Sequence, residues 1–286
     1  MNREDAQIPS GDSYIAAWVY RPATLSGTCV VMAHGFSLTR HDGLEPFAEA
    51  FVDAGATVVC FDHRYLGDSG GEPRQRFRAS AQLADWRAAI AYARGLEGVD
   101  RVVLWGYSFS GGHCATLAAG DTKPDAMLLL CPFADGLGRV RSTPLPLIAW
   151  ITPHAVADLA GRHCTIPVTG PVGSHAAMPL ADEEEGFAIA VADNSPWRNA
   201  ISPAVFLTVA FHRPWAKAAN LRMPVFVGMG DRDISVPAKG IHRLVDRAPD
   251  ATLKRYDADH FTVFAPPLQE QIIADQVGFL RERGFL

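Results

Sequence analysis

A chain of 286 residues with 48% hydrophobic content is long enough for one large domain with a substantial core. Its formal net charge of −5, with both signs dispersed and no basic block, excludes the electrostatic footprint of a nucleic-acid or anionic-membrane binder. The polar start from Met1 to Gly11 has no apolar signal core, and no uncharged apolar run approaches the roughly 20 residues of a bilayer span, so a soluble, cytoplasmic protein is expected.

Tyr14 to Tyr20 reads as an edge strand ending at Arg21-Pro22, and Thr28 to Ala33 as a buried strand stopping at His34-Gly35. Leu44 to Ala54 has helical spacing, with Phe47, Phe51 and Val52 on one side and Gly55 as the following C-cap. The rhythm repeats through strand 57–61, helix 81–94, strand 101–105, helix 109–119 and strand 126–131. Near-continuous apolar strands alternating with helices predict an α/β fold, a mostly parallel sheet covered by helices on both faces.

Between 135 and 220 the rhythm breaks in a stretch rich in Pro, Gly and aromatics, predicting a cap or lid inserted into a core formed by 1–134 and 221–286. Its Trp150, Phe187, Trp197, Phe206, Phe211 and Trp215 suggest a pocket for a medium-sized apolar group, or else the cap's own core. Strand 224–228, helix 237–246, strand 251–256 and helix 269–283 close the pattern. Cys29, Cys60, Cys114, Cys131 and Cys164 are scattered without metal-ligand spacing and read as free thiols, so no disulfide, metal or other cofactor is required.

The sharpest chemical signal is Gly106-Tyr107-Ser108-Phe109-Ser110-Gly111-Gly112 between a strand and a helix. A nucleophile on a tight strand-to-helix turn needs small residues two positions to either side, and Gly106 and Ser110 meet that need. The turn sets Ser108 at a helix N-terminus, where the Phe109 amide is a natural oxyanion donor, and the Phe36 amide after His34-Gly35 is the expected second one. A nucleophilic serine needs a base and an orienting acid, and both follow later strands. His260 takes the base position; Asp231 and Asp233 compete for the acid, and Asp233 is favoured because it lies further into its loop, with Asp231 left to satisfy turn backbone. His113 falls on the helix after the nucleophile, His154, His163, His175 and His212 in the cap region read as structural or pocket-lining, and Asp62-His63-Arg64 with Gly67, Ser69 and Gly70 as a structural turn.

With AAWVYRP, HGF, DHRYLGDSGGEPR, GYSFSGG, GDRDISVP and DADHF in order, the chain resembles the α/β-hydrolase superfamily along nearly its whole length. HGF, DHRYLGDSGG and GYSFSGG look more particularly like bacterial serine esterases and fungal polyketide thiohydrolases or acyl-transferring hydrolases, and Ser110 is similar to that subgroup's own variant. The resemblance implies the α/β-hydrolase fold and an esterase or thioesterase acting on a small-molecule acyl ester or thioester by way of an acyl-enzyme. An acyltransferase using the same triad and a catalytically idle ligand-binding relative are the alternatives. Ser108 disfavours the dehalogenases and epoxide hydrolases of this fold, which carry aspartate there. Oligomeric state stays open, a homodimer included.

Overall fold

The computed structural model describes residues 2–286. Strands β1 (Asn2–Ser10), β2 (Ser13–Arg21), β3 (Thr28–Ala33), β4 (Thr57–Phe61), β5 (Arg101–Tyr107), β6 (Ala126–Leu130), β7 (Val225–Gly230) and β8 (Ala251–Tyr256) form one sheet in the order β1-β2-β4-β3-β5-β6-β7-β8. The ladders from β4 through β8 are parallel, whereas β1 and β2 are antiparallel to each other and β2 is antiparallel to β4. Strands β3 to β7 are apolar at nearly every position because both sheet faces are covered.

The segment 13–21 is therefore an interior strand and not the expected edge. The edge is β1, whose polar run NREDAQIPS gives no apolar periodicity and is held by its full-length ladder to β2.

Helices α1 (Glu45–Asp53), α2 (Ala79–Arg94) and α3 (Phe109–Ala118) follow β3, β4 and β5. Gly55, at φ +97°, closes α1, its N–H donating to the Val52 carbonyl. In register, Trp105 shares a sheet face with Met32 and Cys60, while Phe61 points the other way with Ala33 and Gly106. Phe47 of α1 packs on Trp105 and Trp86 of α2 on Phe61, so these two helices clothe opposite faces.

The long connection from β6 to β7 carries α4 (Gly136–Ser142), α5 (Leu145–Ala157) and α6 (Glu183–Ala190), followed by short helices at Pro203–Leu207, Val209–Phe211 and Pro214–Asn220. Side chains tie it to the rest: Trp197 Nε1 donates to Ser37 Oγ at 3.2 Å, Arg78 pairs with Asp158 at 3.1 Å, and Ser235 Oγ donates to Glu183 at 2.7 Å. The chain closes with α7 (Ala238–Arg247) and α8 (Leu268–Glu282), and Gln276 of α8 accepts from Trp105 Nε1 at 2.8 Å. No helix among the described residues is long and apolar enough to cross a membrane.

Candidate active site

Ser108 occupies the residue between β5 and α3 with φ +52° and ψ −116°, a conformation that L-residues avoid and that a tight strand-to-helix turn imposes. Gly106 makes that turn possible: a Cβ there would stand 2.7 Å from the backbone of Ser110 and Gly111. The turn is fixed by Ser108 N–H donating to the Leu130 carbonyl at 2.9 Å and by the Ser108 carbonyl accepting from Phe133 N–H at 2.8 Å.

His260, in the loop after β8, lies with Nε2 3.0 Å from Ser108 Oγ and Nδ1 2.6 Å from Asp233 Oδ2. A carboxylate only accepts, so the Asp233 contact places the imidazole proton on Nδ1 and leaves the Nε2 lone pair facing the serine hydroxyl. Asp233 is itself aimed by the loop after β7, its Oδ1 accepting from the amides of Ser235 and Val236 at 2.9 and 3.0 Å. Asp231 turns outward to Arg255 at 2.8 Å.

Several supports of His260 carried no sequence signal. Tyr107, between Gly106 and the serine, donates its hydroxyl to the His260 carbonyl at 2.6 Å, and Asp259 accepts from the amides of Phe261 and Thr262 at 2.7 and 2.8 Å. The thiol of Cys131 sits beside Asp233 and His260, the three donor atoms lying within 4.8 Å of one another. Burial first, and then the Asp233 charge, push the Cys131 thiol well above its ordinary range, so it stays protonated.

Phe109 opens α3, so its N–H has no acceptor within the helix. Across from it, the loop after β3 presents Phe36. Gly35 allows the close approach, since a Cβ there would lie 2.7 Å from Ser108 Cβ. His34 shapes this loop by accepting from Gly35 N–H at Nδ1, 3.1 Å away, and by donating from Nε2 to the Asp42 carbonyl. Burial pushes the His34 imidazole down to about 3, which keeps it neutral in that role.

Beside Ser108 and His260 opens a cavity of about 120 Å³, walled mainly by Phe36, Phe133, Ile148, Ile151, Val205 and Phe206. Arg139 brings a charged side chain to its lining and lies 3.8 Å from Glu183. Of the aromatics expected to line a pocket, only Phe206 does so. Trp150 stacks on His175 at 4.8 Å, and Phe187 is packed between Trp197 and Phe261. Trp197 reaches back to Ser37, Trp215 lies under the guanidinium of Arg243, and Phe211 is 84% exposed. Aliphatic residues that gave no individual signal, Ile148, Ile151, Val205 and Val209, supply most of the wall instead.

Residues 26–261 match the hydrolase family described as serine aminopeptidase, S33. The quorum-quenching protein AidA of Acinetobacter baumannii is 35% identical over 285 residues, covering 97% of this chain and 94% of that one. The polyketide transferase af380 of Aspergillus fumigatus is 33% identical over 138 residues, 47% of either chain. The crystal structure of the alpha/beta hydrolase GrgF from Penicillium sp. sh18 superposes with a TM-score of 0.78 over 99% of both chains at 21% identity, a likeness of fold. With an eight-stranded, mostly parallel sheet and this match over most of its length, the chain belongs to the serine aminopeptidase S33 family of α/β hydrolases.

Proposed function

We propose that the protein is a serine hydrolase that cleaves a carboxylic ester or thioester of an apolar acyl group through an acyl-enzyme. The observation that carries this reading is the hydrogen-bonded chain Ser108, His260, Asp233 at the wall of an apolar cavity. Ser108 Oγ attacks the acyl carbon while its proton passes to His260 Nε2, and Asp233 stabilises the imidazolium that forms. The carbonyl oxygen becomes an oxyanion held by the amides of Phe36 and Phe109, each such donor contributing about 3 kcal/mol to the transition state. The intermediate collapses as His260 returns the proton to the leaving alcohol or thiol. Water, deprotonated by the same nitrogen, then attacks the acyl-Ser108 ester and releases the acid.

A second reading, acyl transfer to an alcohol, amine or thiol in place of water, is favoured by the name of the fungal relative, which matches over about half of this chain. The test is hydrolysis of p-nitrophenyl esters from acetate to laurate, and of matching thioesters, by wild type and Ser108→Ala, with and without added acyl acceptors. Loss of at least about a thousandfold in kcat with the variant is expected. A new acyl product formed at the expense of free acid would move the assignment to transfer, and a variant as active as wild type would remove Ser108 from the chemistry. The name of the bacterial relative adds quorum-sensing signal molecules to the substrates to be tried.

A further inference from the structure

Close to the nucleophile, but outside the cavity lining, lies a second group of serine, histidine and aspartate. Ser110 Oγ is 2.5 Å from the His34 carbonyl and 3.3 Å from His63 Nε2, and His63 Nδ1 is 3.5 Å from Asp85 Oδ2. Asp85 is anchored in turn, accepting from Arg64 Nε at 2.6 Å and from Ser10 Oγ at 2.7 Å. All three are buried: Ser110 is 1% exposed, His63 3% and Asp85 0%, and none lines the cavity.

The proton count gives the set a direction. The Ser110 hydroxyl has one proton, and the His34 carbonyl can only accept, so that proton goes to the carbonyl. His63 then donates its one ring proton from Nε2 to Ser110 Oγ, and its Nδ1, 3.5 Å from Asp85 Oδ2, makes no hydrogen bond. Burial pushes the Asp85 carboxyl up, but its polar surroundings, with Ser10 and Arg64 donating to it, outweigh burial and hold the group below the usual carboxylate range. The set therefore ends in an anion fixed by Arg64 and presents, at its other end, a hydroxyl clamped on the loop that carries Phe36.

We infer that Ser110 and His63 are positioning residues that hold the two oxyanion amides at their working separation. Phe109 immediately precedes Ser110 on the first turn of α3, and Phe36 lies two residues beyond His34. The Ser110 hydroxyl hydrogen-bonds these two backbones to each other, and His63, donating from Nε2, restricts which way that hydroxyl points. The inference rests on the reading of the Phe36 and Phe109 amides as the oxyanion site. It also gives a reason for serine rather than glycine at position 110: without the hydroxyl the buried His34 carbonyl loses this donor, and the loop can drift by the fraction of an ångström that oxyanion catalysis does not tolerate.

The test uses Ser110→Ala, Ser110→Gly, His63→Ala and His63→Gln, with kcat and KM on one p-nitrophenyl ester. Alongside these, the Ki of a trifluoromethyl ketone of the same acyl length, whose Ser108 adduct carries an oxyanion, is compared with the Ki of the free fatty acid. Expected are a kcat lower by about 10- to 100-fold for Ser110→Ala, Ser110→Gly and His63→Ala with KM within about twofold. The ketone Ki should rise in step with the loss of kcat/KM while that of the fatty acid stays level. His63→Gln, which restores an N–H donor toward Ser110, should recover most of the loss. Unchanged kcat in Ser110→Ala and Ser110→Gly, or a loss of kcat with no weakening of the ketone, overturns the inference while leaving the hydrolase reading intact. A wild type that turns over no ester and is not labelled at Ser108 by a fluorophosphonate overturns both.

Discussion

Asp231 and Asp233 stand two positions apart in the loop after β7, and their surroundings divide the work. Asp231 meets Arg255 at the surface, with 37% of its side chain exposed, whereas the Asp233 side chain is 2% exposed and bonded to His260 and two amides. An exposed ion pair of the first kind contributes about 0 to 1 kcal/mol, so Asp231→Asn should leave kcat within about twofold. Asp233→Asn puts an N–H donor or a weaker acceptor against His260 Nδ1 and favours the tautomer with no lone pair toward Ser108; a loss of kcat of about 10²- to 10⁴-fold is expected. Steady-state kinetics of the two variants side by side decide between the aspartates, and a larger loss at Asp231 would reverse the assignment.

At the scale of elements, the connection between β6 and β7 delivers the cavity wall, and it does so with small helices rather than with its aromatics. Ile148 and Ile151 on α5 and Val205 and Phe206 on the short helix Pro203–Leu207 line the cavity together with Phe36 and Phe133 of the sheet-end loops. Filling this space shortens the acyl chain that fits. Ile148→Trp should move the optimum of the p-nitrophenyl ester series to shorter chains and lower kcat/KM for the longest ester by about 10-fold, the equivalent of one to two displaced methylenes. A chain-length profile identical to that of wild type would show that the acyl group leaves by another route. Phe211, by contrast, is solvent-exposed, and Phe211→Ala should change neither profile nor melting temperature.

Across the whole molecule, three neutral histidines are enclosed near the site. Burial pushes His34 down to about 3 and His212 down to about 4, and it holds His113 well below the ordinary value, with the neighbouring His212 and His63 adding to that shift. Unfolded, each titrates near 6.5, so their contribution to stability is complete above that pH and is lost as pH falls toward the folded values. Each pH unit below 6.5 costs about 1.4 kcal/mol per histidine until the folded value is reached. The melting temperature should therefore fall steadily from pH 7 to 5. His212 lies stacked against Phe109, with ring centroids 4.9 Å apart and an interplanar angle of 9°, so His212→Phe should keep the packing and flatten that slope by about a third. An unchanged slope would place the acid sensitivity elsewhere.

What the sequence determined by itself was local and periodic. Strand-helix alternation fixed the α/β class because parallel strands covered on both faces must be apolar throughout, and the small residues around Ser108 announced a tight turn because sterics at that turn leave no other choice. Strand β1 escaped because an edge strand with a polar face carries no such periodicity. The tertiary structure alone decided what depends on residues far apart in the chain. It brought Ser108, Asp233 and His260 into one hydrogen-bonded line, set Asp233 inward and Asp231 outward, and gave the cavity wall mainly to aliphatic side chains, while Phe187, Trp197 and Trp215 tie the β6–β7 connection to the rest of the fold. It also brought His63, from the loop after β4, to Ser110 on α3. Hydrogen-bond partners and cavity walls are chosen by three-dimensional proximity, which no spacing along the chain encodes.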